Sequence, residues 1–270
     1  MIRPVKDLMH QGLLICHPNS SLGQVASFLA QHHIHALVVA ENQDQPLGII
    51  SDFDLLAGEW LSVDHESLAA MQRLTARELM SSPIASIEAD APVEEAAHRM
   101  IEKQTHRLLV LEKNAPVGVL SVSDLVASMA EQVKAKREIV GDVMTYALLV
   151  CRDTTSVISV ARSMNESRWR SIVVVDAAGK PQGVVTGKDL LQLVGNDVSE
   201  NLTVSSLMHS PLTTIDVNAS LNEAADLMIQ NHLHRLVVTD KNSLESFPLG
   251  IISSFDIVAE MARPGSVWQR

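Results

Sequence analysis

Gly250-Ile-Ile-Ser-Ser-Phe-Asp256 lies near the C-terminal end of the chain and has three earlier counterparts. They read Gly48-Ile-Ile-Ser-Asp-Phe-Asp54, Gly118-Val-Leu-Ser-Val-Ser-Asp124 and Gly183-Val-Val-Thr-Gly-Lys-Asp189. The glycines advance by 70, 65 and 67 residues. A second marker precedes each of these stretches: Leu8-Met9, Leu79-Met80, Val143-Met144 and Leu207-Met208, whose methionines advance by 71, 64 and 64. Two markers drifting together through 270 residues identify four copies of one unit.

Between the markers the same order of elements recurs. A short apolar stretch (13–16, 84–87, 148–151, 212–215) comes first. A one-faced apolar stripe at helical spacing follows: Leu22/Val25/Ala26/Leu29, Val93/Ala96/Ala97/Met100, Val157/Val160/Ala161/Met164 and Leu221/Ala224/Ala225/Met228. Ser20, Asp90 and Ser220 stand ahead of these helices as expected N-caps. A β-branched strand, a polar turn, a second strand running into the Gly motif and a closing helix complete the unit. Each unit therefore reads β-α-β-β-α, and the fold class is α/β (α+β). One such unit leaves a sheet face uncovered, so the units must pair. Consecutive pairing predicts modules at 1–132 (repeats about 2–60 and 74–131) and 138–264 (repeats about 138–196 and 202–262). Segment 58–73 reads as a packed connection, 130–137 as a polar link, and the tail holding Pro264 and Gly265 as frayed.

Composition narrows the function. With 21 Lys+Arg against 32 Asp+Glu, the net charge is -11, which excludes the basic face that nucleic acids require. Aromatic residues are 3% of the chain, too few for base-stacking platforms. Cys16 and Cys151 are too few for a disulfide framework and read as small apolar fillers in a reducing, cytoplasmic setting. No apolar run reaches the length of a membrane helix, and the first residues lack a signal-peptide core. The clustered His32, His33, His35, His232 and His234 lack the further ligands of a metal centre. No catalytic motif is present, so no enzymatic activity is expected.

The motif has its own chemical logic. Glycine at the strand start permits close approach of a ligand. Ser51, Ser121, Thr186 and Ser253 place hydroxyls at a strand-to-helix junction suited to phosphate. Asp54, Asp124, Asp189 and Asp256 present carboxylates that can accept bonds from a ribose diol. The same Ser/Thr-x-x-Asp spacing is also a helix-capping pattern, and both readings stand. Ahead of each inner strand a cation recurs: His35, His106-Arg107, Arg170 and His234-Arg235, with Ala36 and Ser171 where two of the arginines would stand. Lys103, Arg168 and Lys188 add nearby charge. Trp169 suits a core or interface place better than an adenine stack.

These repeats resemble cystathionine-β-synthase (CBS) domains, two of which form a Bateman module. The resemblance spans about residues 2 to 262, and four repeats with nothing else are similar in architecture to the gamma subunit of AMP-activated protein kinase. It implies composite pockets, Asp54 with His106-Arg107 and Asp189 with His234-Arg235, for AMP, ADP or ATP, with S-adenosylmethionine or a dinucleotide polyphosphate as further candidates. Adenine would lie between aliphatic walls. The implied function is a regulatory sensor acting on a partner protein in trans, as a homodimer or a one-chain disc, without cofactor or metal. The alternative is a ligand-free oligomerisation scaffold.

Overall fold

A computed structural model describes residues 3–32, 34–57, 74–130, 138–167, 169–191, 193, 201–241 and 247–264. The expected links over 58–73 and 131–137, Arg168 and the tail from Gly265 lie outside the described residues.

Repeat 1 opens with a 3-10 turn (Val5–Asp7) and contains β1 (His10–Gln11), β2 (Ile15–Cys16), α1 (Leu22–His32), β3 (Ala36–Ala40), β4 (Pro46–Ser51) and α2 (Asp52–Ala57). Repeat 2 contains α3 (Ala76–Leu79), β5 (Ser86–Glu88), α4 (Val93–Glu102), β6 (Arg107–Glu112), β7 (Ala115–Ser121) and α5 (Val122–Ala130). Repeat 3 contains α6 (Val140–Val143), β8 (Val150–Arg152), α7 (Val157–Ser167), β9 (Ser171–Val175), β10 (Pro181–Thr186) and α8 (Gly187–Leu191). Repeat 4 opens with a 3-10 turn (Val204–Ser206), then β11 (Thr214–Asp216), α9 (Leu221–Gln230), β12 (Arg235–Thr239), β13 (Pro248–Ser253) and α10 (Ser254–Ala262).

Every repeat builds the same small sheet. In β2-β3-β4, β5-β6-β7, β8-β9-β10 and β11-β12-β13 the first strand runs parallel to the second, because a helix crosses between them, and the second forms an antiparallel hairpin with the third, while β1 adds antiparallel to β7. The helical stripes face inward as the spacing requires: Val93, Ala96, Ala97 and Met100 are all buried, and alanine at the second and third stripe positions lets α4 approach its strands. Ala161 of α7 is half-buried instead. Ser220 caps α9, its Oγ accepting from the Glu223 amide at 3.2 Å. Ser20 does not cap α1. Ser21 does, accepting from the Gln24 amide at 3.3 Å while Gln24 Oε1 accepts from the Ser21 amide at 3.0 Å. Asp90 does not cap α4 either, since Pro92 holds that position and the Asp90 carboxylate pairs with Lys6 Nζ at 2.6 Å.

The contacts divide the chain into two compact units, and the division is not the consecutive one expected. One unit comprises Met1–Leu13, Ala85–Leu148 and Thr213–Arg270; the other comprises Leu14–Ile84 and Leu149–Leu212. The bodies of repeats 2 and 4 thus share one unit, and those of repeats 1 and 3 the other. Helix packing is the reason. In the first unit α5 packs on α9 and α4 on α10, and one apolar cluster runs from Ile87 and Met100 through to Ile252 and Met261. In the second unit α2 packs on α8, over clusters centred on Leu22, Leu29, Ile50 and Leu55 and on Val160, Ile172, Val185 and Leu190.

The leader of each repeat, the stretch carrying the Met marker, packs on the body of its sequence neighbour. Val5, Ala76, Val140 and Val204 are fully buried there, and their amides donate to Ala91, Ser20, Ala219 and Thr155 carbonyls at 2.8–3.0 Å. Five residues further on, His10, Ser81, Thr145 and His209 pair with Val119, Ile49, Ile251 and Val184, in each case the residue after the motif glycine. The glycines therefore admit protein rather than ligand. A Cβ on Gly183 would stand 2.7 Å from the His209 carbonyl oxygen and 3.1 Å from Met208 Sδ. Gly118, Gly250 and Gly48 face His10 and Met9, Thr145 and Met144, and Ser81 and Met80 in the same way. The two markers that drift together in sequence touch in space.

Candidate functional site

All four motif aspartates are held alike. Asp54 Oδ2 accepts from the Ser51 amide at 2.8 Å and its hydroxyl at 2.6 Å. Asp124 Oδ2 accepts from Ser121 at 2.7 and 2.6 Å, Asp189 Oδ2 from Thr186 at 2.7 and 2.7 Å, and Asp256 Oδ2 from Ser253 at 2.7 and 2.6 Å. The return bond, from the Asp amide to the Ser Oγ, closes a capping box in repeats 1, 2 and 4. The capping reading of the spacing is therefore present in the structure. It leaves Oδ1 of each carboxylate to be accounted for.

The cation-bearing residues lie across the hairpin from these hydroxyls. Ala36, Arg107, Ser171 and Arg235 stand in register with Ser51, Ser121, Thr186 and Ser253. The carbonyls of His35, His106, Arg170 and His234 accept from the amides of Asp52, Val122, Gly187 and Ser254 at 3.1, 3.0, 3.3 and 2.9 Å. Hairpin register thus brings hydroxyl, carboxylate and cation together within a single repeat.

Side-chain contacts then reach the alternate repeat of the same unit. His234 Nδ1 lies 3.3 Å from Ser123 Oγ on α5, and the His106 ring lies 4.7 Å from the Phe255 ring on α10. Arg170 acts electrostatically on Asp52 and Asp54, and Asp52 Oδ2 is 2.9 Å from His35 Nδ1. The expected partnerships of Asp54 with His106-Arg107 and of Asp189 with His234-Arg235 join residues of different compact units. Among the described contacts, those between repeat bodies link alternate repeats and those of the leaders link sequential ones. Lys103 turns to Glu102 at 2.9 Å, and Arg168 lies outside the described residues.

Burial tunes the second unit. It lifts the Asp54 carboxyl above its ordinary value, against the Ser51 bonds and the Arg170 charge that lower it. It likewise lowers Arg170, against the carboxylates of Asp52 and Asp54. Burial also pushes the thiols of Cys16 and Cys151 up to about 11, and both are free and half-buried.

Two residues at these sites were not singled out by the sequence. His10 Nε2 lies 3.0 Å from Asp124 Oδ1, and His209 Nε2 lies 2.6 Å from Asp189 Oδ1. The available signal was the residue after each marker methionine: His10, Ser81, Thr145 and His209. Among the described residues no group of three or more His, Cys, Asp or Glu could hold a metal ion, and no helix is long and apolar enough to cross a membrane.

Comparison with known proteins matches a family model described as CBS domain at residues 5–59, 76–131, 140–196 and 204–263. Protein MJ1404 of Methanocaldococcus jannaschii is 25% identical over 276 residues, 96% of this chain, which spans 62% of that protein's length. Protein MJ1225 of the same organism is 22% identical over 97% of this chain and 99% of its own. The crystal structure of MJ1225, which has been put forward as an archaeal homolog of g-AMPK, superimposes with a TM-score of 0.81 at 19% identity over 95% of this chain and 99% of that one. A conserved protein from Pyrococcus horikoshii superimposes at 0.67, with 19% identity over 96% and 100% of the two chains. At these identities the superpositions establish the fold.

Proposed function

This chain belongs to the CBS-domain family, and from that premise we propose that it is a regulatory sensor of adenosine-containing nucleotides, of the AMP, ADP or ATP class. The observation that carries the reading is the fourfold recurrence of one arrangement: a carboxylate anchored through Oδ2 beside a Ser or Thr hydroxyl, with a basic residue just before or at the start of the strand across the hairpin. The anchored carboxylate offers its remaining oxygen to a ribose hydroxyl, and the basic residues His35, His106, Arg107, Arg170, His234 and Arg235 supply the positive charge for phosphate. S-adenosylmethionine and dinucleotide polyphosphates share the adenosine moiety and belong to the same screen. The output is a change in affinity for a partner protein in trans, with a second copy of the chain as one candidate partner. Such a signal requires that nucleotide bind one conformation more tightly than another. No catalytic role is assigned to any residue, and a reducing cytoplasm suits the two free thiols.

The test is calorimetric titration and thermal denaturation of the full chain with AMP, ADP, ATP, S-adenosylmethionine and a dinucleotide polyphosphate. Binding raises Tm by mass action, by about 2.7 kcal/mol of stability at one hundred times Kd. Asp54→Asn and Asp256→Asn each weaken the response. No shift with any of the five at millimolar concentration leaves the oligomerisation scaffold as the function.

A further inference from the structure

The four leader residues that follow the marker methionines are equivalent in register but not in chemistry. Each pairs with the residue after a motif glycine, so each stands at the same place beside one motif aspartate: Ser81 in the unit of Asp54, His10 with Asp124, His209 with Asp189, and Thr145 in the unit of Asp256. All four are exposed. In the His209 site the second carboxylate oxygen is already hydrogen-bonded, to His209 Nε2 at 2.6 Å, and in the His10 site Nε2 stands 3.0 Å from Asp124 Oδ1 as an ion-pair contact without hydrogen-bond alignment. A carboxylate accepts only, so the His209 imidazole donates through Nε2–H. In the two hydroxyl sites Oδ1 of Asp54 and of Asp256 accepts no hydrogen bond among the described residues.

We propose that His10 and His209 are latches that sort the four sites into two classes, with Asp54 and Asp256 open to a ribose diol and Asp124 and Asp189 closed until the imidazole is displaced. The inference rests on the nucleotide reading above. A diol that donates both hydroxyls needs both lone pairs of the second oxygen; His209 takes one of them at Asp189, and the His10 ring crowds the same oxygen at Asp124. Exposure separates the two latches. The Asp189 side chain is 4% exposed beneath His209, and that of Asp124 is 13% exposed beneath His10. Removing a bond to a less solvated charge costs more, so the Asp189 site is the more firmly closed. Nucleotide fills the open sites first, then the Asp124 site, then the Asp189 site. The Asp189 site is weaker by one to two orders of magnitude, the range set by one hydrogen bond to a charged group, and the Asp124 site by up to about tenfold, since an exposed ion pair contributes at most about 1 kcal/mol. The protein thereby reads nucleotide over two concentration ranges with four copies of one motif.

The probe is AMP, titrated calorimetrically into the full-length chain and into three variants. The wild type takes up two AMP tightly. His10→Ala adds a third tight site, and His10→Ala with His209→Ala adds two. The converse pair, Ser81→His with Thr145→His, weakens the two wild-type sites by about tenfold or more. All substitutions fall at exposed leader positions and leave the backbone pairing intact, which circular dichroism and Tm verify. Four equivalent sites in the wild type, or uptake unchanged by every leader substitution while AMP still binds, overturns the latch and spares the nucleotide reading. AMP binding to neither the wild type nor any variant overturns both.

Discussion

Gly183→Ala tests the leader packing quantitatively. The added Cβ would lie 2.7 Å from the His209 carbonyl oxygen, where an ordinary carbon–oxygen contact is about 3.3 Å. The obstacle is backbone, so the leader must move outward by about 0.6 Å. Two ladder bonds lie beside the contact: the His209 amide to the Val184 carbonyl at 2.9 Å, and the Val184 amide to the His209 carbonyl at 3.2 Å. A shift of that size stretches both to or past the limit of a useful hydrogen bond. Overpacking costs about 1–3 kcal/mol and each weakened bond up to about 1 kcal/mol, so the expected loss is about 2–4 kcal/mol. Urea denaturation reads it as a lower midpoint at unchanged slope. Gly23→Ala is the control, because nothing lies within 4 Å of its Cβ and alanine favours the helix by up to about 1 kcal/mol. A Gly183→Ala loss below about 0.5 kcal/mol would refute the argument that the glycine exists to admit the leader. The same shift draws His209 away from Asp189, so the variant also loosens the latch.

Three further outcomes follow from the site. Burial raises the folded-state pKa of Asp54, so its contribution to stability is fully present below the unfolded value of about 3.9 and is lost as pH rises through the folded value. Asp54→Asn cannot ionise, and the stability difference between variant and wild type should shift in favour of the variant from pH 4 upward; a pH-independent difference contradicts the burial argument. Cys16 and Cys151, with thiols pushed up to about 11, should resist a thiol reagent at pH 8 in the folded protein and react fully in denaturant, while rapid native labelling would show them more solvated than the structure has them. A double-mutant cycle on His106 and Phe255, with rings 4.7 Å apart, should yield about 0.5–1.5 kcal/mol of coupling, and zero coupling would dismiss the contact.

Period and pattern made the repeats legible because each unit repeats a hydrophobic schedule that local chemistry enforces. The stripes of α1, α4 and α9 are buried where the spacing put them. Ser220 caps as read, whereas Ser20 and Asp90 miss by one and two positions, since capping depends on where the first helical residue falls. The helix packing between alternate repeats was not legible. An apolar helix face records that it needs cover but not which of three near-identical faces supplies it, and α4 meets α10 rather than a sequential neighbour. The motif glycines were read as room for ligand because Gly-h-h-Ser states only that something comes close. That the visitor is the methionine leader is a long-range fact. His10 and His209 were overlooked because a residue present in two of four copies breaks the repeat instead of defining it.

The leader packing has a consequence for how such chains can be built. The chain passes from one compact unit to the other at four points, after residues 13, 84, 148 and 212. Each repeat therefore leaves its leader in one unit and its body in the other. The segment that is duplicated is not the segment that folds. A single repeat, excised with its own leader, carries a methionine with no glycine to cover and a glycine with no methionine over it. It closes only by lending its leader to a second copy and borrowing that copy's in return. Reciprocal lending gives a natural count of two.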